Sequence, residues 1–250
     1  MTLKSLILAD IHANMEALKT VLDAEGSWDE ILFLGDAVGW GPNPNEVLSL
    51  LSEQDGVFIM GNHDRNVLRA DQTTENGTSD ALWMRWSRDQ ISSRNLEFLF
   101  SFSPPCVVAR QGLTLRLIHG DVVHGEERLW PDSPPEIFLA LKHRYHEPCI
   151  LISHTHVQFE RHFQGTHFVN PGGLGQPRLG QVLAGYGVLE KGRISLKAVP
   201  YDAKKTAKDM EGLPLERNFL HIWKLCLCRG TIPSFYSIRD FSPLMKRGLR

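Results

Sequence analysis

Cysteine is scarce in this chain: Cys106, Cys149, Cys226 and Cys228 are the four in 250 residues, and no two stand at CxxC spacing. That spacing argues against a structural thiolate zinc site, and buried free thiols are expected, with Cys149 inside the strand-like run CILIS. Long apolar runs are also missing. Nowhere do about eighteen apolar residues follow one another, and the first run breaks at Asp10 before it could form a signal core. Charge of either sign is close to balanced, with 27 Lys and Arg against 29 Asp and Glu, which argues against an extended nucleic-acid-binding face. No internal repeat, linker or low-complexity segment is visible. These absences predict a soluble, cytoplasmic protein without a membrane partner, and the 42% apolar content suits one large domain.

What is present is a series of short runs rich in Ile, Val, Leu and Phe at 5–9, 31–34, 57–60, 115–118 and 149–152, each followed by polar residues. These read as buried strands. Between the first three lie helical patterns: Met15, Leu18 and Leu22 share one face, and Val47, Leu50 and Leu51 share another. Asn43 is placed to cap the second helix, with Pro44 at its first position and Glu46 at the capping-box position. A βαβαβ beginning follows. Residues 78–100 suggest one or two more helices, and 106–200 reads as further strands in meander pairing. After Asp202 the pattern is helical again, which divides the chain into a domain over 1–202 and a helical extension and tail over 203–250 packed on it.

The polar residues after the strands repeat in type. ADIHAN at 9–14, LGDAVGWGPNP at 34–44, MGNHD at 60–64, IHG at 118–120 and SHTH at 153–156 each carry Asp, Asn or His. Crossover connections bring the carboxyl ends of strands together, so these loops converge. A single Asp or His after a strand is more often a cap or turn residue; the ordered set reverses those odds. Asp10, His12, Asp36, Asn62, His119, His154 and His156 are more ligands than one tetrahedral ion takes. Oxygen and imidazole nitrogen without thiolate suit two borderline divalent ions, Mn²⁺, Fe²⁺ or Fe³⁺, Zn²⁺, Co²⁺ or Ni²⁺, about 3.5–4 Å apart.

In order and spacing these residues resemble the calcineurin-like metallophosphoesterases, whose motifs run D-x-H, G-D, G-N-H-[DE], H and G-H-x-H. The likeness covers roughly residues 4–200, and VGWGPNP with VNPGGLGQPR is similar to the small bacterial single-domain, phosphodiesterase-like branch. The resemblance implies a four-layer α/β/β/α sandwich of two mixed sheets. It implies that Asp10, His12 and His156 hold one metal, that Asn62, His119 and His154 hold the other, and that Asp36 bridges. His63 would be the catalytic acid. Asp64 would orient its imidazole, or else is simply a helix-start carboxylate. His119 matches the family position better than His124. Two motif glycines are replaced, by Ala13 and Ser153; a Cβ there would crowd the backbone or require a negative φ.

Around these ligands, Asn14 is either an N-cap or a donor to substrate, Trp40 either a stacking face or a packed lid, and Arg65 and Arg178 are candidate phosphate contacts. The function implied is a dinuclear phosphoesterase in which metal-activated water attacks phosphorus, with small phosphodiesters or nucleotides as substrates. A serine/threonine protein phosphatase, a phosphomonoesterase and a non-catalytic scaffold are the alternatives. The diester preference rests on the few Lys or Arg in the site loops and on a free face of Trp40. The partner expected is a small phosphorylated substrate, with homo-oligomerisation left open.

Overall fold

The structure, a computed structural model, describes residues 3–70, 78–120 and 128–234. The chain begins with β1 (Lys4–Leu8), α1 (Met15–Glu25), β2 (Glu30–Phe33), α2 (Pro44–Ser52) and β3 (Gly56–Phe58), then the helices α3 (Asn62–Arg69), α4 (Ser79–Gln90) and α5 (Ser93–Phe100). It continues through β4 (Cys106–Arg110), β5 (Leu113–Ile118), α6 (Pro135–Arg144), β6 (Cys149–Ile152), β7 (Phe159–Phe163) and β8 (Thr166–Asn170). β9 (Leu183–Glu190), β10 (Arg193–Pro200), α7 (Ala203–Asp209) and α8 (Arg217–Arg229) follow.

Two five-stranded mixed sheets result, in the orders β10-β9-β1-β2-β3 and β4-β5-β6-β8-β7. Period-two alternation places their faces. Ile7, Leu32, Leu115, Leu117 and Leu151 point into the layer between the sheets. Their neighbours Leu6, Leu8, Ile31 and Phe33 point out under the helices of the first sheet. Ile118, Ile150 and Ile152 point out under α6 on the second. This is the α/β/β/α sandwich. The parallel run β1-β2-β3 is the expected βαβαβ unit.

The expected meander needs correction. β4-β5, β7-β8 and β9-β10 are antiparallel hairpins, but β6 pairs in parallel with both β5 and β8. β9 crosses back to pair with β1 in the first sheet. Asn43 does precede α2, yet its side chain makes no cap bond; its amide reaches toward Asp209 instead. All four cysteines are free, but only Cys149 is buried, its thiol pushed up to about 12 by burial, and Cys228 is exposed. Among the described residues no helix is long and apolar enough to cross a membrane.

Helices α7 and α8 pack on the first sheet's helical layer, with Leu220, Trp223 and Leu227 buried there. Residues 235–250 lie outside the described part of the tail.

One polar cluster ties α1 to three strands. Glu25 accepts from Tyr186 at 2.7 Å and Lys197 at 2.7 Å, and pairs with Lys4 at 2.6 Å. Burial alone would raise its carboxyl, but the bonds from Lys197, Lys4 and Tyr186 hold it down at about 2. A carboxylate depressed on folding stabilises fully above its unfolded pKa, near ~4.3, and stops doing so as pH falls through the folded value. Glu25→Gln is therefore expected to lower stability by about 1–2 kcal/mol at pH 7, discounting the exposed Lys197. Chemical denaturation should show that loss fading between about pH 4.5 and pH 2.

Candidate metal centre

The site sits where β1, β2, β5 and β6 end. Its backbone is unusual before any side chain is considered. Asp10 (φ 53°), His12 (49°), Asp36 (62°), His154 (72°) and His156 (59°) all lie in the left-handed region, which costs an L-residue roughly 1–2 kcal/mol. Such conformations persist only where surroundings over-determine them. Here Asp10 N donates to Gly35 O, His12 N to Asp36 O and Ala13 N to Ala37 O, at 3.0, 3.0 and 2.8 Å, which laces the first loop to the second. Gly175 N donates to Asp10 O at 2.9 Å, so the GGLGQPR loop backs the first. A Cβ on Gly175 would lie 1.8 Å from Ile11 O, and one on Gly61 would lie 2.1 Å from Asp36 Oδ1. Close approach explains both glycines.

Two groups of side chains then converge. Asp10, His12 and His156 form one, and Asp36, His119 and His154 the other, each with ligand atoms within 4.8 Å of one another. His12 Nε2 lies 3.2 Å from His156 Nε2, and His156 Nε2 lies 3.4 Å from Asp10 Oδ1. In the second group His119 Nε2 lies 3.0 Å from Asn62 Oδ1, 3.1 Å from Asp36 Oδ2 and 3.2 Å from His154 Nδ1. Asp36 Oδ2 is also 3.8 Å from His12 Nε2, so one carboxylate oxygen faces both groups.

The tautomers follow from the carbonyls. His119 Nδ1 donates to Leu34 O at 2.8 Å and His156 Nδ1 to Gln176 O at 2.9 Å, so each ring turns its Nε2 lone pair inward. Acceptors facing acceptors at such distances, with Asp10, His12, Asp36, His119 and His156 buried and His154 half-buried, suit a cation between them. Among the described residues Asp10 Oδ1 and Asp36 Oδ2 have no hydrogen-bond partner. Burial pushes the Asp10 carboxyl up to about 7. Burial holds His12 and His156 well below the usual imidazole range and takes His154 to about 2. His119 is the exception: burial would lower it, but Asp36 lifts it to about 9. Neutral imidazoles beside buried carboxylates are the form divalent ions bind, so this donor set fits two of them.

His63 stands beside the ligands without joining either group. Its ring is edge-on to His12 at 5.1 Å, its backbone N–H donates to Asp36 Oδ1 at 2.8 Å, and its Nε2 accepts from Trp40 Nε1 at 3.0 Å. Burial lowers its pKa.

Several residues fall on one side of the alternatives that the sequence leaves open. Asp64 does not touch the His63 ring. Its carboxylate accepts from the backbone N–H groups of Asp36, Ala37, Val38 and Gly61 at 2.8–3.2 Å, so it clamps the Asp36 loop onto the start of α3. Burial and Asp36 push that carboxyl up to about 7, against the pull of the Gly61 and Val38 donors. Asn14 is buried, and its side chain is engaged within the fold. It caps α1 through Ala17 N, accepts from Thr206, and spends its amide on Gly175 O and Tyr201. Trp40 is packed, stacked on Trp223 at 5.1 Å and edge-on to Trp83. Arg65 is exposed on α3. Ala13 keeps a φ of 51° despite its Cβ, and the Ser153 hydroxyl donates to Leu34 O and lies 2.9 Å from His119 Nδ1. Neither replacement displaces a ligand. His124 lies outside the described residues.

Arg178 does reach the site, its Nη2 3.1 Å from His156 Nε2. Arg128, which no motif points to, places Nε 3.3 Å from His154 Nε2. Trp223 was equally invisible, since its role comes from α8 folding back onto Trp40.

Comparison with known proteins agrees with this geometry. The family model for the calcineurin-like phosphoesterase superfamily domain matches residues 3–191. An uncharacterized protein of Methanocaldococcus jannaschii, MJ0912, is 30% identical over 80% of this chain and 88% of its own. A metallophosphoesterase from Sphaerobacter thermophilus is similar in structure, with a TM-score of 0.74 and 26% identity over 92% of this chain and 100% of that one. The hypothetical protein PH1004 of Pyrococcus horikoshii OT3 shares the fold, with a TM-score of 0.75 and 18% identity over 88% and 97% of the two chains. With its motifs in family order, its ligand atoms gathered at the strand ends and three quarters of its length matched, the chain belongs to the calcineurin-like phosphoesterase superfamily.

Proposed function

We propose that this protein is a dinuclear metal-dependent phosphoesterase acting on small phosphate esters, nucleotides among them. The observation that carries this reading is the pair of buried Asp and His groups sharing Asp36. When bound, divalent ions lend such a site Lewis acidity and bring the pKa of water toward ~7. The chain's own part begins with Asp36, which holds the two halves of the site in register. Asp64 fixes the loop that carries it, and Gln176 O and Leu34 O fix the imidazole orientations. His63 assists the departing oxygen, either stabilising its charge through its ring N–H or, as the imidazolium, supplying a proton. Because its Nε2 accepts from Trp40, the neutral ring carries its proton on Nδ1, which is buried and has no hydrogen-bond partner among the described residues.

Room for the organic part of an ester lies next to the ligands. A shallow, open cleft lies beside His156 and Arg178 and is walled by Pro177, Leu183 and Ala198. The expected preference for diesters had two supports, a scarcity of cations and a free face of Trp40. Arg128 adds a guanidinium and Trp40 is engaged in packing, so the ester class turns on the arginines.

The test is hydrolysis of p-nitrophenyl phosphate and bis-p-nitrophenyl phosphate by chelator-treated protein before and after Mn²⁺ is restored. Turnover of at least one ester is expected only after restoration. A protein that binds two ions yet hydrolyses neither, with Mn²⁺, Fe²⁺, Co²⁺, Ni²⁺ or Zn²⁺, would favour a non-catalytic scaffold.

A further inference from the structure

Two guanidiniums hold nitrogen atoms that metal ligation would reorganise. Arg178 Nη2 lies 3.1 Å from His156 Nε2, whose lone pair faces inward because Nδ1 donates to Gln176 O. One lone pair cannot serve both a guanidinium and an ion. On the other side, His154 turns Nδ1 toward His119 Nε2 and Asp36, while its Nε2 is 3.3 Å from Arg128 Nε. If Nδ1 ligates, the ring's single proton must sit on Nε2, and that N–H then faces the N–H of Arg128. In both places ligation removes an acceptor of the arginine, and among the described residues Arg178 keeps only the long contact of its Nη1 to Thr155 O at 3.4 Å.

Arginine stays charged and carries five donors in a planar fork, so a displaced guanidinium beside two cations needs an anion. Arg178 Nε is already buried without a hydrogen-bond partner among the described residues. The two side chains are near enough for their charges to repel. A phosphate diester has two non-bridging oxygens, which two ions satisfy. A monoester has three and a second negative charge.

Building on the phosphoesterase reading, we propose that Arg128 and Arg178, released from His154 and His156 by metal ligation, clamp the terminal oxygens of a phosphate dianion and make the site selective for phosphomonoesters, terminal nucleotide phosphates included, over diesters. The same contacts make the arginines competitors of the metal, so removing either should leave Mn²⁺ affinity equal or higher.

Calorimetric titration of the Mn²⁺-loaded protein with inorganic phosphate, methyl phosphate and dimethyl phosphate tests this. The parent should bind methyl phosphate at least about tenfold more tightly than dimethyl phosphate. Arg128→Ala and Arg178→Ala should each weaken inorganic phosphate by about 10–100-fold with Mn²⁺ content unchanged. Arg→Lys variants, which keep a charge but not the fork, should fall between, and they carry the test where an Ala variant does not fold. Phosphate affinity within twofold of the parent in both arginine variants at full Mn²⁺ loading would overturn the proposal, as would equal binding of methyl and dimethyl phosphate by the parent. Failure of the phosphoesterase reading looks different: a parent that binds no Mn²⁺ or hydrolyses no ester.

Discussion

Replacing Asp36 by Asn is expected to weaken metal binding in both halves of the site and to lower turnover by about 10³–10⁴-fold. The carboxylate is 1% exposed, and one of its oxygens lies 3.1 Å from His119 Nε2 and 3.8 Å from His12 Nε2. The amide keeps the shape and loses the charge. Metal-ion stabilisation of transition-state charge is worth several kcal/mol, and about 1.36 kcal/mol corresponds to each decade of rate. The fold should survive, because four backbone donors of this region bond to Asp64, and an Asn at 36 keeps an amide oxygen to accept from His63 N–H as Asp36 Oδ1 does. Mn²⁺ titration alongside steady-state kinetics checks the result. A variant that retains one tight ion and loses only the other would show that Asp36 serves a single site.

His63→Ala should separate binding from chemistry. The imidazole touches Trp40 and packs edge-on to His12, but it belongs to neither ligand group. Metal content is therefore expected to stay at the parental level while kcat falls by about 10²–10⁴-fold, the range for a general acid. The loss should be smallest for esters whose leaving group departs easily as an anion, because these depend least on a proton. Equal losses of metal and activity would make His63 a ligand. An undiminished kcat would assign the proton transfer elsewhere.

Much of this architecture was legible in the sequence because strands announce themselves by period two and each ligand directly follows one. Leu6 and Leu8 outward with Ile7 inward, then Asp10 and His12, is a local statement about one segment and its end. The sandwich itself and the proposed split of ligands between two metals came from family likeness; the structure gathers Asp10, His12 and His156 in one candidate group and Asp36, His119 and His154 in another. What escaped depends on chain segments that meet from far apart. The return of β9 to β1 spans residues 4–190, so local turn chemistry in the second half suggested a meander that topology overrides. Asn14 reads as a cap from its neighbours, but only the packed fold brings Thr206, Gly175 and Tyr201 to consume its amide. Arg128 and Trp223 lie outside every motif, and no spacing rule places them beside His154 and Trp40. Asp64 was half-legible: its position at a helix start is local, while its grip on three residues of the Asp36 loop is not.

The central claim is that these side chains form one centre for two ions, and the direct measurement is elemental analysis of the parent protein after saturation with Mn²⁺ and removal of excess. Two ions per chain are predicted, with anomalous scattering placing one among Asp10, His12 and His156 and the other among Asn62, His119 and His154, both against Asp36. One ion at saturation, or two with either lying away from Asp36, would contradict the account.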